Sequence, residues 1–467
     1  MTKTKYTSEE LLKNLPIKKS ITTLAIPSIM AMLVMSIFNF VDTLYIGMLD
    51  NSLALSAVGV AYPIMTLKAA IGQTLGAGAA AAIGRCFGSK QGDLASKTCT
   101  TIIYTSIIVG IIFTAIGIIF TKEIFTVFGA SEASMPYALD YGKWMFAGAA
   151  FTVPNMSFNN IARAETKAKL SMNALIIGSV ANIILDPIFM FTFNMGIKGA
   201  AIATTISQGI TFVCIAWYFF LGKSRAKVKL EFFKPSKKIF AEVLKSGAPT
   251  GASQILNTIS VIVTNLVIGT IAVNTVQSDN LIAAYGVVLK IILMIQFTLM
   301  GFLQGYQPIA SYCFGAKNKE RFYGAVKFVF KLVLIYTVIC TIGVQIFSDE
   351  LLRLFSNEPE ILNYGATLLS CNNMFFVLIG ITQMIMITFQ AIGNGKGGVL
   401  ISVIRQGAFY MVFLFVLPKF LGLNALYVSQ PIADVLTFVL AIILALKCIK
   451  SLKVHFTNEE LEVKTVE

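Results

Sequence analysis

The chain has 467 residues, of which 56% are hydrophobic and only 13% charged. A soluble protein carries about 25% charged residues, so globular cores cannot absorb this apolar excess, and the composition excludes a soluble globular protein. The net charge of +14 is spread over short loops between apolar runs and forms no basic stripe with interleaved aromatics, which argues against nucleic acid as a partner.

Read in chain order, the first 20 residues are polar and basic. The apolar run that follows is too long for the h-region of a cleavable signal peptide. Twelve bilayer-length apolar runs then predict spans at 21–48, 53–82, 98–120, 137–160, 168–193, 198–221, 247–273, 281–312, 323–347, 364–390, 398–421 and 424–448. The expected fold is therefore all-α and polytopic. Lys and Arg collect at both termini and after spans 2, 4, 6 and 8, as in Arg85, Lys90, Arg163, Lys223, Arg225, Lys317 and Arg321. The alternate loops are acidic, with Glu123, Glu132, Asp279, Asp349 and Glu350. This asymmetry predicts cytoplasmic termini. The even number of spans requires both termini on one side.

The chain repeats itself. A shift of 227 positions places Cys86-Phe87-Gly88-Ser89-Lys90 on Cys313-Phe314-Gly315-Ala316-Lys317 and Gly78 on Gly305. With a shift of 226, Gly196 meets Gly422. An even number of spans per half makes the repeats parallel, related by an axis along the membrane normal. The expected organisation is a segment 1–20, a first six-helix bundle 21–221, a basic linker 222–246, a second bundle 247–448 and a tail 449–467. Such pairs of bundles alternate access around a central cavity. No GxxxxGK[ST] motif is present, which argues against an ATP-driven pump.

Two carboxylates lie inside spans: Asp42 in FNFVDTLYIG and Asp186 in NIILDP. A carboxylate near the bilayer centre costs on the order of 3 kcal/mol or more, so each needs a reason. Asn182 and Asp186 are one helical turn apart and share a face. Pro187 has no N–H and frees the carbonyl of Ile183; Pro27 should kink span 1 in the same way. Carboxylate, amide and carbonyl oxygens together suit a hard cation, and a proton could take the same place. Asn39, Tyr141, Asn159, Thr204 and Thr205 are available to complete the hydrogen bonding. The competing reading is an acid that merely caps a broken helix. The repeat weighs against it: Asp42 maps to Thr264, and Asn182 and Asp186 map near Ala408 and Val412. Acids needed only for packing would be needed in both halves.

The remaining intramembrane charges, Lys68, Lys290, Arg405 and Asp434, read as snorkelling groups or interhelical ion pairs. Arg163 and Glu165 read as a gate or a solvated pair at a helix end. Met30, Met32 and Met35 line span 1 before Asp42 and offer an adaptable apolar surface. The seven cysteines include no CxxC pair and read as packing; the single histidine, His455, lies in the polar tail, so no histidine chemistry is expected in the membrane.

Pro27 with FNFVDTLYIG, AVGVAYP in span 2 and NIILDPIFMFTFNMGIKGAAIATTISQ (182–208) together resemble the multidrug and toxic compound extrusion (MATE) family over essentially the whole chain. The resemblance implies two pseudo-symmetric six-helix lobes in a bacterial plasma membrane. It implies export of drugs and other cationic or amphipathic compounds in exchange for Na⁺ or H⁺, by a monomer without a cofactor. The family's cation site falls on Asp42, Asn182, Asp186 and Thr204, with Tyr141 and Asn159 as polar partners and Asn39 beside them. Pro27 and Pro187 become hinges. Met32, Met35, Phe38, Gln254 and Arg405 become candidates for the substrate cavity. Phe38 stands where the family often has Tyr, and Gln254 lies in a region where one branch carries a Glu, so the chain looks like the DinF/MepA-like branch. A flippase or exporter of a lipid-linked or other specific metabolite is the alternative; twelve spans and few intramembrane arginines argue against it. A passive channel fits poorly with acids in one half only.

Overall fold

The long apolar runs satisfy their backbone groups internally, as a bilayer demands, and every regular element among the described residues is helical. The computed structural model describes residues 6–49, 51–355 and 358–464; residues 1–5 and 465–467 of the expected terminal segments lie outside them. The twelve expected spans correspond to α1 (Ile17–Gly47), α2 (Ser52–Gly88), α3 (Gly92–Ile119), α4 (Met135–Ala147 and Ala149–Ala164), α5 (Ala168–Pro187), α6 (Gly196–Phe220), α7 (Lys237–Ile271), α8 (Thr275–Gly315), α9 (Lys319–Arg353), α10 (Pro359–Met374 and Phe376–Ile392), α11 (Gly395–Ser402 continuing to Leu421) and α12 (Asn424–Lys464). Among the described residues nine of these are long and apolar enough to cross a bilayer, ten with the bent pair of α10. Loop asparagines start several of them: Asn51, Asn274, Asn318 and Asn394 each accept a hydrogen bond from a first-turn N–H of α2, α8, α9 and α11.

The internal repeat extends to the backbone. α4 breaks at Gly148 and α10 at Phe375, 227 positions apart. Left-handed residues recur at the same shift at Lys90 and Lys317 and at Thr166 and Gly393, and with a shift of 226 at Gly196 and Gly422. α5 runs on into a π-turn, Ile188–Thr192, and its counterpart α11 contains another, Val403–Tyr410.

Helices α1–α6 pack on one another, as do α7–α12, and the halves meet chiefly through α1 against α8 and α2 against α7 and α8. Glycine makes these crossings possible. A Cβ on Gly78 would lie 2.0 Å from the Val243 carbonyl oxygen, and one on Gly247 would lie 1.8 Å from that of Thr74. Gly88 and Gly315 bring α2 onto α8 equally closely, and Gly305 seats against Ala25 of α1. Gly47, Gly59, Gly269 and Gly286, toward the other ends of the same helices, have nothing within 4 Å of such a Cβ. The halves are thus closed at one end.

That end also holds both described termini. Leu11 and Leu12 are buried among Leu303, Ile309 and Phe322, and the Arg321 guanidinium donates to the carbonyls of Leu11, Leu12 and Leu15. Ser8 reaches the first half, donating to the Glu165 carbonyl. His455 stacks on Phe314 with ring centroids 4.1 Å apart. Arg85 of α2 crosses the seam, donating to Glu242 and Ser246 of α7 and to the carbonyls of Gln390 and Ala391 of α10.

The connection between the halves is pinned to the first of them. The fully buried Glu165 carboxylate accepts from Tyr218 Oη, Ser224 Oγ and the N–H groups of Arg225 and Ala226. Lys227 then bonds Ser96 and Thr100, and the Lys234 N–H bonds Thr101. α7 begins at Lys237, inside the stretch 222–246 read as a linker. Glu165 and Arg163 are not a pair: Arg163 bonds Asn160 and Ser171 instead.

Two outcomes test this account. Gly247→Ala inserts a methyl into backbone and should destabilise by about 1–3 kcal/mol, read as a fall in Tm of purified protein, whereas Gly47→Ala meets open space and should not. Glu165→Ala strands several buried donors and should cost about 3 kcal/mol or more, with faster proteolysis at residues 224–234.

Candidate cation site

α5 carries Asn182 and Asp186 one turn apart, as the spacing requires. Asn182 Nδ2 donates to Asp186 Oδ1 at 3.1 Å and to Thr204 Oγ1 of α6 at 3.4 Å. Asp186 and Asn182 are 0% and 1% exposed. Pro187 is the last residue of α5, and the helix loosens there into the π-turn, closed by the Phe193 N–H on the Ile188 carbonyl. Such turns recur at functional sites because they redirect side chains and free backbone oxygens.

α1 packs against α5 and brings Asp42 within Coulombic range of Asp186; both carboxylates also act on the Tyr141 hydroxyl. Three oxygens of this set, Asp42 Oδ1, Asp186 Oδ2 and Asn182 Oδ1, are buried with no hydrogen-bond partner among the described residues. Buried polar atoms are ordinarily paired. Two carboxylates and an amide oxygen, with a hydroxyl alongside and no sulfur or imidazole, fit a hard monovalent cation or a proton.

Of the other expected residues, Tyr141 stays within range of both carboxylates, and the rest make other contacts. Asn39 is exposed and donates to the Met35 carbonyl of its own helix. Asn159 donates to the Asn155 carbonyl and accepts from Ser171, which in turn accepts from Arg163, so it belongs to that buried cation's network. Thr205 binds the Trp144 carbonyl and holds the broken α4 against α6. Tyr141 is buried, its hydroxyl 3.8 Å from Met65 Sδ. α1 runs as one helix through Pro27, so the expected kink is not a break in this structure. Met32 is buried with its sulfur 4.0 Å from Gln304 Nε2, and Met35, Phe38 and Gln254 are half-buried. Arg405 Nε pairs with Asp434 at 2.8 Å, and Gln430 donates to the same Asp434 oxygen.

In the second half, the counterpart of Asp42 is answered by neutral groups. Thr264 shares a 2.7 Å hydrogen bond with Tyr410, beside Tyr285. Sequence reading missed Tyr410 and Tyr285; mapping NIILD through the repeat as far as Tyr410 would have found the first.

A model of the MatE family matches residues 27–188 and 249–416, once in each half. The chain belongs to this family. It is therefore a transporter and not an enzyme. It is 28% identical over 449 residues to the multidrug export protein MepA of Staphylococcus haemolyticus (strain JCSC1435), an alignment covering 96% of this chain and 97% of that one. Its fold matches an outward-facing multidrug resistance MATE family transporter of the MOP superfamily with a TM-score of 0.89 at 25% identity, over 97% of this chain and 100% of that one. It matches a MOP superfamily transporter from Pyrococcus furiosus equally well, with a TM-score of 0.89 at 25% identity over 97% and 99%. In this MatE chain, Asn182→Leu keeps volume but removes the amide; it should cost about 1–3 kcal/mol of stability. Asn39→Leu should stay within about 0.5 kcal/mol. Thermal unfolding of both variants checks the contrast.

Proposed function

We propose that the chain is a secondary multidrug efflux antiporter, exporting cationic and amphipathic compounds in exchange for inward Na⁺ or H⁺. The observation that carries this reading is that the packing of α1 on α5 brings Asp42 within Coulombic range of Asp186, and that Asp42, Asp186 and Asn182 each carry a buried oxygen with no hydrogen-bond partner among the described residues. A buried acid pair in a MatE chain has a use if it changes its cation load during transport.

The lysine-rich, closed end that holds both described termini faces the cytoplasm of a bacterial cell, by the positive-inside rule. The first lobe, 21–221, and the second, 247–448, part at one end as they close at the other. A cation entering from outside engages Asp42, Asn182, Asp186 and Thr204 and cancels the repulsion between the two carboxylates. α1 then draws toward α5. Pro27 leaves the Thr23 carbonyl without its helical partner, and α1 bends there most easily. The cavity lined by Met32, Met35, Phe38 and Gln254 contracts and releases substrate outward. Arg405, neutralised by Asp434, leaves this wall without net charge, which suits varied apolar cations.

Proteoliposomes with a cationic dye test the proposal. Na⁺ and pH gradients imposed separately should drive uphill dye movement with one ion or the other. Asp42→Asn and Asp186→Asn should each lower that coupled flux at least about tenfold, on the scale of a lost charge interaction, with normal insertion and Tm. Full gradient-driven efflux by either variant would sink the coupling role.

A further inference from the structure

At the closed end, away from the acid pair, a cavity of about 590 Å³ lies between the start of α7, the turn from α10 to α11 and the outer part of α12. Its polar lining includes Lys245, Lys396, Lys447 and His455. Among the described residues none of these lysines is in an ion pair, and Glu242, one turn before Lys245 on α7, is committed to Arg85. Its other wall is apolar, with Leu400 and Leu444, and leads onto the outward faces of α11 and α12, where Leu400, Ile443 and Leu446 are exposed.

The turn itself, Gly393-Asn394-Gly395-Lys396-Gly397-Gly398, is built for close approach. Gly393 is left-handed, with φ 79°. A Cβ on Gly395 would lie 1.7 Å from the Lys245 carbonyl oxygen, so only glycine lets this turn press on α7 and bring Lys396 beside Lys245. α11 starts here, and its positive pole adds to the lysines. A basic recess at the end of membrane helices, open on one side to an apolar outer face, matches a ligand with an anionic phosphate head and hydrocarbon tails.

We propose that this pocket holds the headgroup of an anionic phospholipid, its acyl chains lying along α11 and α12. The shared chemistry, a phosphate, could also come from free phosphate, and the apolar wall favours the lipid. The full-length protein, purified and equilibrated with equimolar phosphatidylglycerol and phosphatidylcholine, should retain phosphatidylglycerol preferentially by native mass spectrometry. The preference should fall about fivefold for each lysine removed in Lys245→Gln, Lys396→Gln and Lys447→Gln. The charge-matched control Lys234→Gln/Lys237→Gln/Lys238→Gln, exposed at the same end, should keep it. The proposal is overturned by an absent preference in the wild type, by its survival in the triple variant or by equal loss in the control. Displacement of the lipid by millimolar inorganic phosphate would assign the site to a free anion and overturn the lipid reading. Should the triple variant aggregate, Lys447→Gln and the phosphate competition on wild type decide alone. None of these readouts involves Asp42 or Asp186, so failure here leaves the antiport reading untouched.

Discussion

Backbone-to-backbone contact across the seam is the constraint on which the rest of the structure depends. Without a solvent-driven hydrophobic force inside a bilayer, helices hold together by close packing, and small residues permit it. Gly78, Gly247, Gly88 and Gly315 let α2 touch α7 and α8 at main-chain distance. The reach of Arg85 to two carbonyls of α10 needs that proximity, and so does the seating of Leu11 and Leu12 over the closed seam. A contact made of main-chain surface has little specific side-chain interlock to break, which suits an interface that opens.

The acid pair lives under the opposite constraint. Its carboxylates stay in the membrane at substantial cost; the Asn182 amide, which also donates to Thr204, donates to Asp186. The second half meets the same geometry with Thr264 and Tyr410, which are neutral and satisfied. One ancestral architecture thus carries a charged and an uncharged version of one position. The difference lies in side chains and not in the path of the backbone.

Much of this was legible in the sequence, and the gaps have physical causes. Span number and repeat follow from hydropathy and spacing, because the bilayer imposes length and alternation. Asn182 with Asp186 was legible because one helical turn fixes their relation. Asn159 was not, since its partner Ser171 lies across a turn, and a residue type alone does not say which cluster recruits it. Arg163 and Glu165 sit two positions apart and invite pairing, yet on a helix end they point to different neighbours. The π-turn after Pro187 has no periodic signature of its own; the proline announced only that the helix would change.

The pinned connection sets the mechanics of the whole. Glu165, Ser96, Thr100 and Thr101 hold residues 224–227 and 234 to the first half, and α7 starts at Lys237. Two residues of chain remain between them, three Cα–Cα steps with a reach of about 10 Å. The two are Pro235, stiff about φ, and Ser236, whose side chain caps α7. The long basic segment is therefore not a slack leash. It is a short fulcrum, and any swing of the second half about the first turns on an axle two residues wide.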